Sequence, residues 1–267
     1  MTSPVHGRRS PTRLGGMIAL VLALLGCTLL ASQLIGAVHN MGSLSFGAAG
    51  GLLQPGQANV APSAGLAAYL RQVRASGTCD LLEATQRVYL GTRHTSGRHI
   101  HWSENWLHYL LGKVYRPFAR TQSVERLVAG REGDCSERAA ILKAIIEAAG
   151  HSCRFVGLNG HVVLEVQVDD QWWTSDPDYG VVYPFAAEQL AETAREAIVR
   201  STLAVHAYPA DTVSRYIDIL QSTHDNVVLP IGMPLSPRLF VVENACAWLA
   251  WLLPAACCLL AGWLKWN

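Results

Sequence analysis

Two long apolar stretches of the chain carry no charged residue: Met17–Val38, 22 residues, and Ala245–Leu264, 20 residues. At 1.5 Å per helical residue, each is long enough to cross the roughly 30 Å hydrocarbon core of a bilayer. Between them the pattern changes several times. His39–Gly65 is uncharged and rich in Gly, Ala, Ser and Pro, which reads as a flexible linker. From Leu66 a helical period predicts helices over Leu66–Ala75, Cys79–Leu90, Ser103–Tyr115 and Thr121–Ala129. Ser136–Ala149 is apolar nearly all round, the pattern of a buried helix, and Gly150 ends it as a C-cap residue does. The period then shortens to two: Cys153–Leu158, His161–Val168 and Gln171–Asp176 read as strands, with Asp169-Asp170 as a turn. Helices return over Ala186–Leu203 and Thr212–Ser222, and a Pro-rich stretch, Pro230–Pro237, leads into the second uncharged run. The expected architecture is α+β, with one buried helix packed on a small antiparallel sheet and flanked by two transmembrane helices.

Composition sharpens this picture in two ways. Half of the 267 residues are hydrophobic and 15% are charged, which excludes a disordered chain. Basic and acidic residues nearly cancel, 21 against 20, so the Lys/Arg surplus of a nucleic-acid binder is absent. The charges also orient the spans. Arg8, Arg9 and Arg13 precede the first, and no Lys or Arg follows it until Arg71. The positive-inside rule therefore puts both termini in the cytoplasm and the domain outside, periplasmic or extracellular. The expected organisation is a cytoplasmic N-terminus (1–16), an anchor (17–38), the linker (39–65), one domain (66–238) and a C-terminal span with a short tail (239–267). A cleaved signal peptide has a shorter apolar core than the first span. Leu24-Leu25-Gly26-Cys27 has the outline of a lipoprotein cleavage site, but the apolar run continues well past Cys27. A buried core helix is the alternative for the second span, against which stand Trp248, Trp251, Trp263 and Trp266, which suit a span with interfacial ends.

The chemistry concentrates in Gly133-Asp134-Cys135-Ser136-Glu137. Asp134 followed three residues later by Glu137 fits a capping box, which places Cys135 at the first helical position. Free N–H groups and the helix dipole stabilise an anion there, the form in which a thiol is nucleophilic. A structural cysteine that merely starts a helix fits this position equally well. The strands alter the balance. In His161–Val168, His161, Val163, Glu165 and Gln167 share one face. A two-residue turn at Asp169-Asp170 pairs Val168 with Gln171 and hence Val163 with Asp176, so His161 and Asp176 become diagonal neighbours on one face. A thiol, an imidazole base and a carboxylate that orients it are the parts of a nucleophilic site.

These segments also resemble a family. Gly-Asp-Cys-Ser-Glu with its apolar helix, Gly-His-Ser-Cys-Arg-Phe-Val-Gly, Gly-His-Val-Val-Leu-Glu-Val and Trp-Trp-Thr-Ser-Asp-Pro-Asp-Tyr-Gly together are similar to the microbial transglutaminase-like superfamily. The likeness covers about Ser123–Tyr183, roughly a quarter of the chain. It implies a papain-like core and a Cys-His-Asp triad, with Cys135 as nucleophile, His161 as base and Asp176 as orienting carboxylate. It also implies acyl transfer from an amide through a thioester, resolved by water or an amine. Only 25 residues lie between Cys135 and His161, fewer than in many members, so a loop that often borders the cleft is reduced. The Cys135 backbone N–H is a natural oxyanion donor; Trp102, Trp106 and Gln122 are candidates for the second. Asp178 and Tyr179 either shape the site or fill a turn after Pro177.

Other signals are weaker. His94, His99, His101 and His108 cluster, with His99 and His101 on one expected strand face, but no carboxylate or Cys completes a metal-ligand spacing. Neither a metal nor a cofactor is expected. Cys79 and Cys153 form either a disulfide or two separate thiols, and Cys246, Cys257 and Cys258 read as small apolar residues of the second span. The leading expectation is a membrane-anchored thiol acyltransferase or hydrolase acting on a protein, peptide or envelope amide. The alternative is a non-catalytic scaffold or accessory protein of the cell envelope, including one linked to exopolysaccharide production.

Overall fold

The computed structural model describes residues 13–45, 65–205 and 208–266. The chain divides into two compact units. One comprises Met1–Gly42, Ile100–Ala119 and Val241–Asn267; the other comprises Ser43–His99 and Arg120–Phe240. The expected single domain over 66–238 thus has a segment, Ile100–Ala119, that clusters with the apolar helices instead.

In the first unit, α1 (Arg13–Ser45) and α10 (Pro237–Trp266) are the two helices long and apolar enough to cross a membrane. α1 is continuous through Cys27 and extends to Ser45, so residues 39–45 of the expected linker are helical. Residues 46–64 of that linker, and 1–12 of the N-terminus, lie outside the described residues. Ala19, Gly26 and Gln33 are buried at seven-residue intervals along α1, the spacing of a helix-packing seam. A Cβ on Gly26 would lie 2.6 Å from Cys258 Sγ and 2.8 Å from the Pro254 carbonyl, so the approach of the two helices requires glycine. α4 (Trp106–Val114) and a 3-10 turn (Arg116–Ala119) complete this unit. α4 starts later than the expected Ser103 because Asn105 is its cap, accepting from the His108 N–H at 2.9 Å.

The second unit is mixed helix and sheet. Its elements are α2 (Leu66–Ser76), α3 (Leu81–Gly91), β1 (Arg93–His94), α5 (Val124–Gly130), β2 (Glu132–Gly133) and α6 (Cys135–Ala148). Then follow β3 (Cys153–Leu158), β4 (His161–Val168), β5 (Gln171–Asp176), β6 (Val181–Tyr183), α7 (Ala187–Leu190), α8 (Arg195–Val205), α9 (Ala210–Leu220) and β7 (Val227–Val228). Five strands form an antiparallel sheet in the order β6-β5-β4-β3-β7. Two tight hairpins set its register. Asn159 and Gly160 (φ 46° and 84°) join β3 to β4, and Asp169 and Asp170 (φ 47° and 62°) join β4 to β5. Two consecutive positive φ angles suit a turn whose twist matches that of its strands. Val168 consequently pairs with Gln171 and Leu164 with Ser175, the register expected from a two-residue turn.

Helices cover both faces of the sheet. On one, Ile141, Leu142, Ile145 and Ile146 of α6 join Phe155, Leu164 and Val166 in a core shared with α2, α3 and α5. On the other, Val156, Leu158 and Val163 meet Leu190, Ile198, Val213 and Ile217 from α7–α9. The expected Ala186–Leu203 helix is in fact two. The break between α7 and α8 is held by Gln221, whose Nε2 donates to the carbonyls of Leu190 (3.4 Å) and Thr193 (2.8 Å). β6, β7 and the β1–β2 pair are only two or three residues long, too short to carry a period. His99 makes a single bridge to Arg120, so the expected strand bearing His99 and His101 does not form.

Candidate active site

Cys135 is the first residue of α6, and the helix start is built as the sequence motif requires. Asp134 Oδ1 accepts from the Glu137 N–H (3.0 Å), and Glu137 Oε2 accepts from the Asp134 N–H (3.2 Å), a reciprocal capping box. Glu137 Oε2 also accepts from the Arg98 N–H at 2.8 Å. The Arg120 guanidinium pairs with both Asp134 and Glu137. Burial nevertheless dominates at Glu137 and raises its carboxyl above the usual range. Gly133 has to be glycine, because a Cβ there would lie 2.9 Å from the Glu137 Cβ.

His161 opens β4 and Asp176 closes β5, which brings both to one end of the sheet. His161 Nε2 donates to Asp176 Oδ2 at 2.7 Å, which leaves Nδ1 as the ring's other nitrogen, and the Cys135 thiol lies near enough to influence the charge of the ring. Burial, the largest influence on the imidazole, opposes its protonation. The charge and hydrogen bond of Asp176, together with Cys135, outweigh burial and raise the imidazole well above its ordinary value. Asp176 is itself fully buried and richly donated to. Its Oδ1 accepts from the N–H groups of Asp178 (2.8 Å) and Tyr179 (3.3 Å), and its Oδ2 from the Tyr216 hydroxyl (2.8 Å). Tyr216 stacks on Tyr179 with ring centroids 3.7 Å apart, and both rings stand edge-on to His161. Burial holds the Tyr216 hydroxyl well above its ordinary value, so it stays a donor.

Three partners of this arrangement are not evident from the sequence. Tyr216 arrives from α9, forty residues beyond Asp176, where it looks like any core-facing aromatic. Arg138 is wholly buried on α6. Its guanidinium bonds the Thr92 hydroxyl (2.9 Å), the Tyr89 carbonyl (2.8 Å) and Asp178 Oδ1 (2.6 Å). His94 is the third, with Nδ1 2.7 Å from the same Asp178 oxygen. Burial, the largest influence, raises the Asp178 carboxyl, but His94 and Arg138 overcome it and leave it below its ordinary value. Asp178 therefore ties the loop after β5 to α6 and β1. A charge inside an otherwise apolar helix was the available signal for Arg138.

The remaining candidates are divided between the two units. Trp102 and Trp106 belong to the other unit, where Trp106 Nε1 donates to the Ala250 carbonyl at 3.3 Å. Gln122 belongs to the same unit as Cys135. Of the histidines, His94 pairs with Asp178 and His101 with the Ser103 hydroxyl (2.8 Å). Among the described residues no group of His, Cys, Asp and Glu is arranged to hold a metal ion. Cys79 and Cys153 are free thiols in the core beside α6. Burial raises both, Cys153 to about 12. Comparison with protein-family models and with curated proteins finds no match to this chain.

Proposed function

We propose that this protein is a membrane-anchored thiol acyltransferase or amidase of transglutaminase-like type, working outside the cytoplasm through Cys135, His161 and Asp176. The observation that carries this reading is the position of His161, bonded to buried Asp176 and near enough to the helix-start thiol of Cys135 to be influenced by it. A structural cysteine needs neither partner. In the proposed reaction His161 Nδ1 takes the Cys135 proton, and the sulfur attacks the carbonyl carbon of an amide. The Cys135 N–H, free at the first turn of α6, steadies the resulting oxyanion. His161 then returns its proton to the departing nitrogen, which leaves as an amine and breaks the C–N bond. A thioester remains on Cys135 until water or a second amine displaces the sulfur.

Throughout this cycle Asp176 and Tyr216 keep the ring turned toward the thiol. The sequence likeness over Ser123–Tyr183 supports the family, and α6 packed on an antiparallel sheet is compatible with a papain-like core. The two apolar helices support membrane anchoring, and the arginines before the first support a domain outside. Incubation with an activated acyl ester tests the reaction. The expected result is a hydroxylamine-labile acyl adduct on Cys135 that is lost in His161→Ala. An adduct that forms equally in that variant would overturn the reading.

A further inference from the structure

α4 buries the polar His108 and exposes the apolar Leu110 and Val114, together with Lys113. Asn105 and His108 are completely buried at its start and first turn, with Glu104 beside them. Leu110 (52% exposed), Val114 (85%) and Tyr115 (55%) stand outward. In water this order is reversed: a surface helix hides its Leu and Val and shows its polar face. Against hydrocarbon the reversal is the rule, because polar side chains then turn toward the protein interior.

Four further observations bear on what covers this face. The segment Ile100–Ala119 belongs to the same compact unit as α1 and α10, the two helices apolar enough to span a membrane. The Trp106 indole N–H donates to the carbonyl of Ala250, a residue inside the uncharged run of α10. Ala250 lies about 8 Å along the helix from Ala245, where that run begins. Amphipathic helices lying in the membrane interface bury their apolar face to a depth of about 5–10 Å. The segment also folds back tightly. A Cβ on Gly112 would lie 2.6 Å from the Ala119 Cα, so the 3-10 turn packs directly against α4. The exposed Lys113 and Arg116 flank the apolar face, where cations meet lipid phosphates.

We infer that α4 and its 3-10 turn form a third membrane-contacting element, seated in the interfacial layer with Leu110 and Val114 against lipid. The occupant of this apolar face is the bilayer, continuous with the lipid that surrounds the outward residues of α1 and α10. The inference rests on the spanning role of those two helices and adds a contact that neither supplies.

Photo-crosslinking in the intact chain tests it. Full-length protein carrying p-benzoyl-phenylalanine in place of Leu110, Val114, Leu252 or Asp225 is reconstituted in phosphatidylcholine/phosphatidylglycerol vesicles and irradiated. Leu252 is an outward residue of α10, and Asp225 is an exposed residue of the other unit. The expected result is lipid adduct at Leu110 and Val114 in yield close to that at Leu252 and several-fold above that at Asp225. Adduct at Leu252 with only the Asp225 background at Leu110 and Val114 would overturn the inference and leave the spans intact. Background at all four positions would overturn the membrane reading along with it. In native membranes, a protein adduct replacing the lipid adduct at Leu110 would also refute it, by showing that a partner covers the face.

Discussion

Asp178 shows how much of the candidate site depends on charges outside Cys135, His161 and Asp176 themselves. Its carboxylate lies between buried Arg138 and exposed His94, while its own N–H donates to Asp176. Removing one partner of a buried ion pair leaves the other charge uncompensated, at a cost of about 3–5 kcal/mol. Arg138→Leu should therefore destabilise the protein by about that much in urea unfolding in detergent, and should disturb the loop that holds Asp176. The pH dependence follows from the sign of the shift. A carboxyl held below its ordinary value stabilises the fold above that value and loses its contribution as pH falls through the depressed one. Asp178→Asn should remove this component, so the stability gap between wild type and variant narrows toward acid pH. The positions of Cys135, His161 and Asp176 at element ends were legible in the sequence because a local rule marks each: a capping box, a strand start and a hairpin register. Arg138 and Tyr216 were not, since their roles depend on long-range packing that no local period records.

At the scale of elements, α6 carries Cys135 and is also the centre of one core. Ile145 is wholly buried there. Ile145→Ala should cost about 2–5 kcal/mol, the usual range for such a truncation, measured as a lowered unfolding midpoint with Cys135 itself untouched. In the other unit, the fit of Gly26 against Cys258 and Pro254 predicts that Gly26→Leu forces α1 and α10 apart. A reduced thermal midpoint in detergent would report it, whereas an unchanged midpoint would contradict the packing described. The elements themselves were partly legible. β3, β4 and β5 fall where a period of two places them, because hairpins with two-residue turns leave no slack. The break between α7 and α8 was hidden, since the amide that holds it comes from Gln221, far along the chain. The segment around α4 reads as part of the domain in a linear pattern, because its reversed polarity becomes visible only once burial is known.

Across the whole molecule, the uncharged runs at the two ends belong to one unit and Cys135, His161 and Asp176 to the other. The central claim is that one thiol among seven is a nucleophile, activated by His161. Burial raises Cys79 and Cys153, so both should react slowly with electrophiles. The most direct measurement is the rate at which each cysteine is alkylated when intact cells carrying the full-length protein are exposed to a membrane-impermeant iodoacetamide, with the sites mapped by mass spectrometry. The account predicts rapid modification of Cys135, little at Cys79 and Cys153, and a marked slowing at Cys135 in His161→Ala. Equal rates at Cys135 and Cys79, or a Cys135 rate unchanged by His161→Ala, would contradict it.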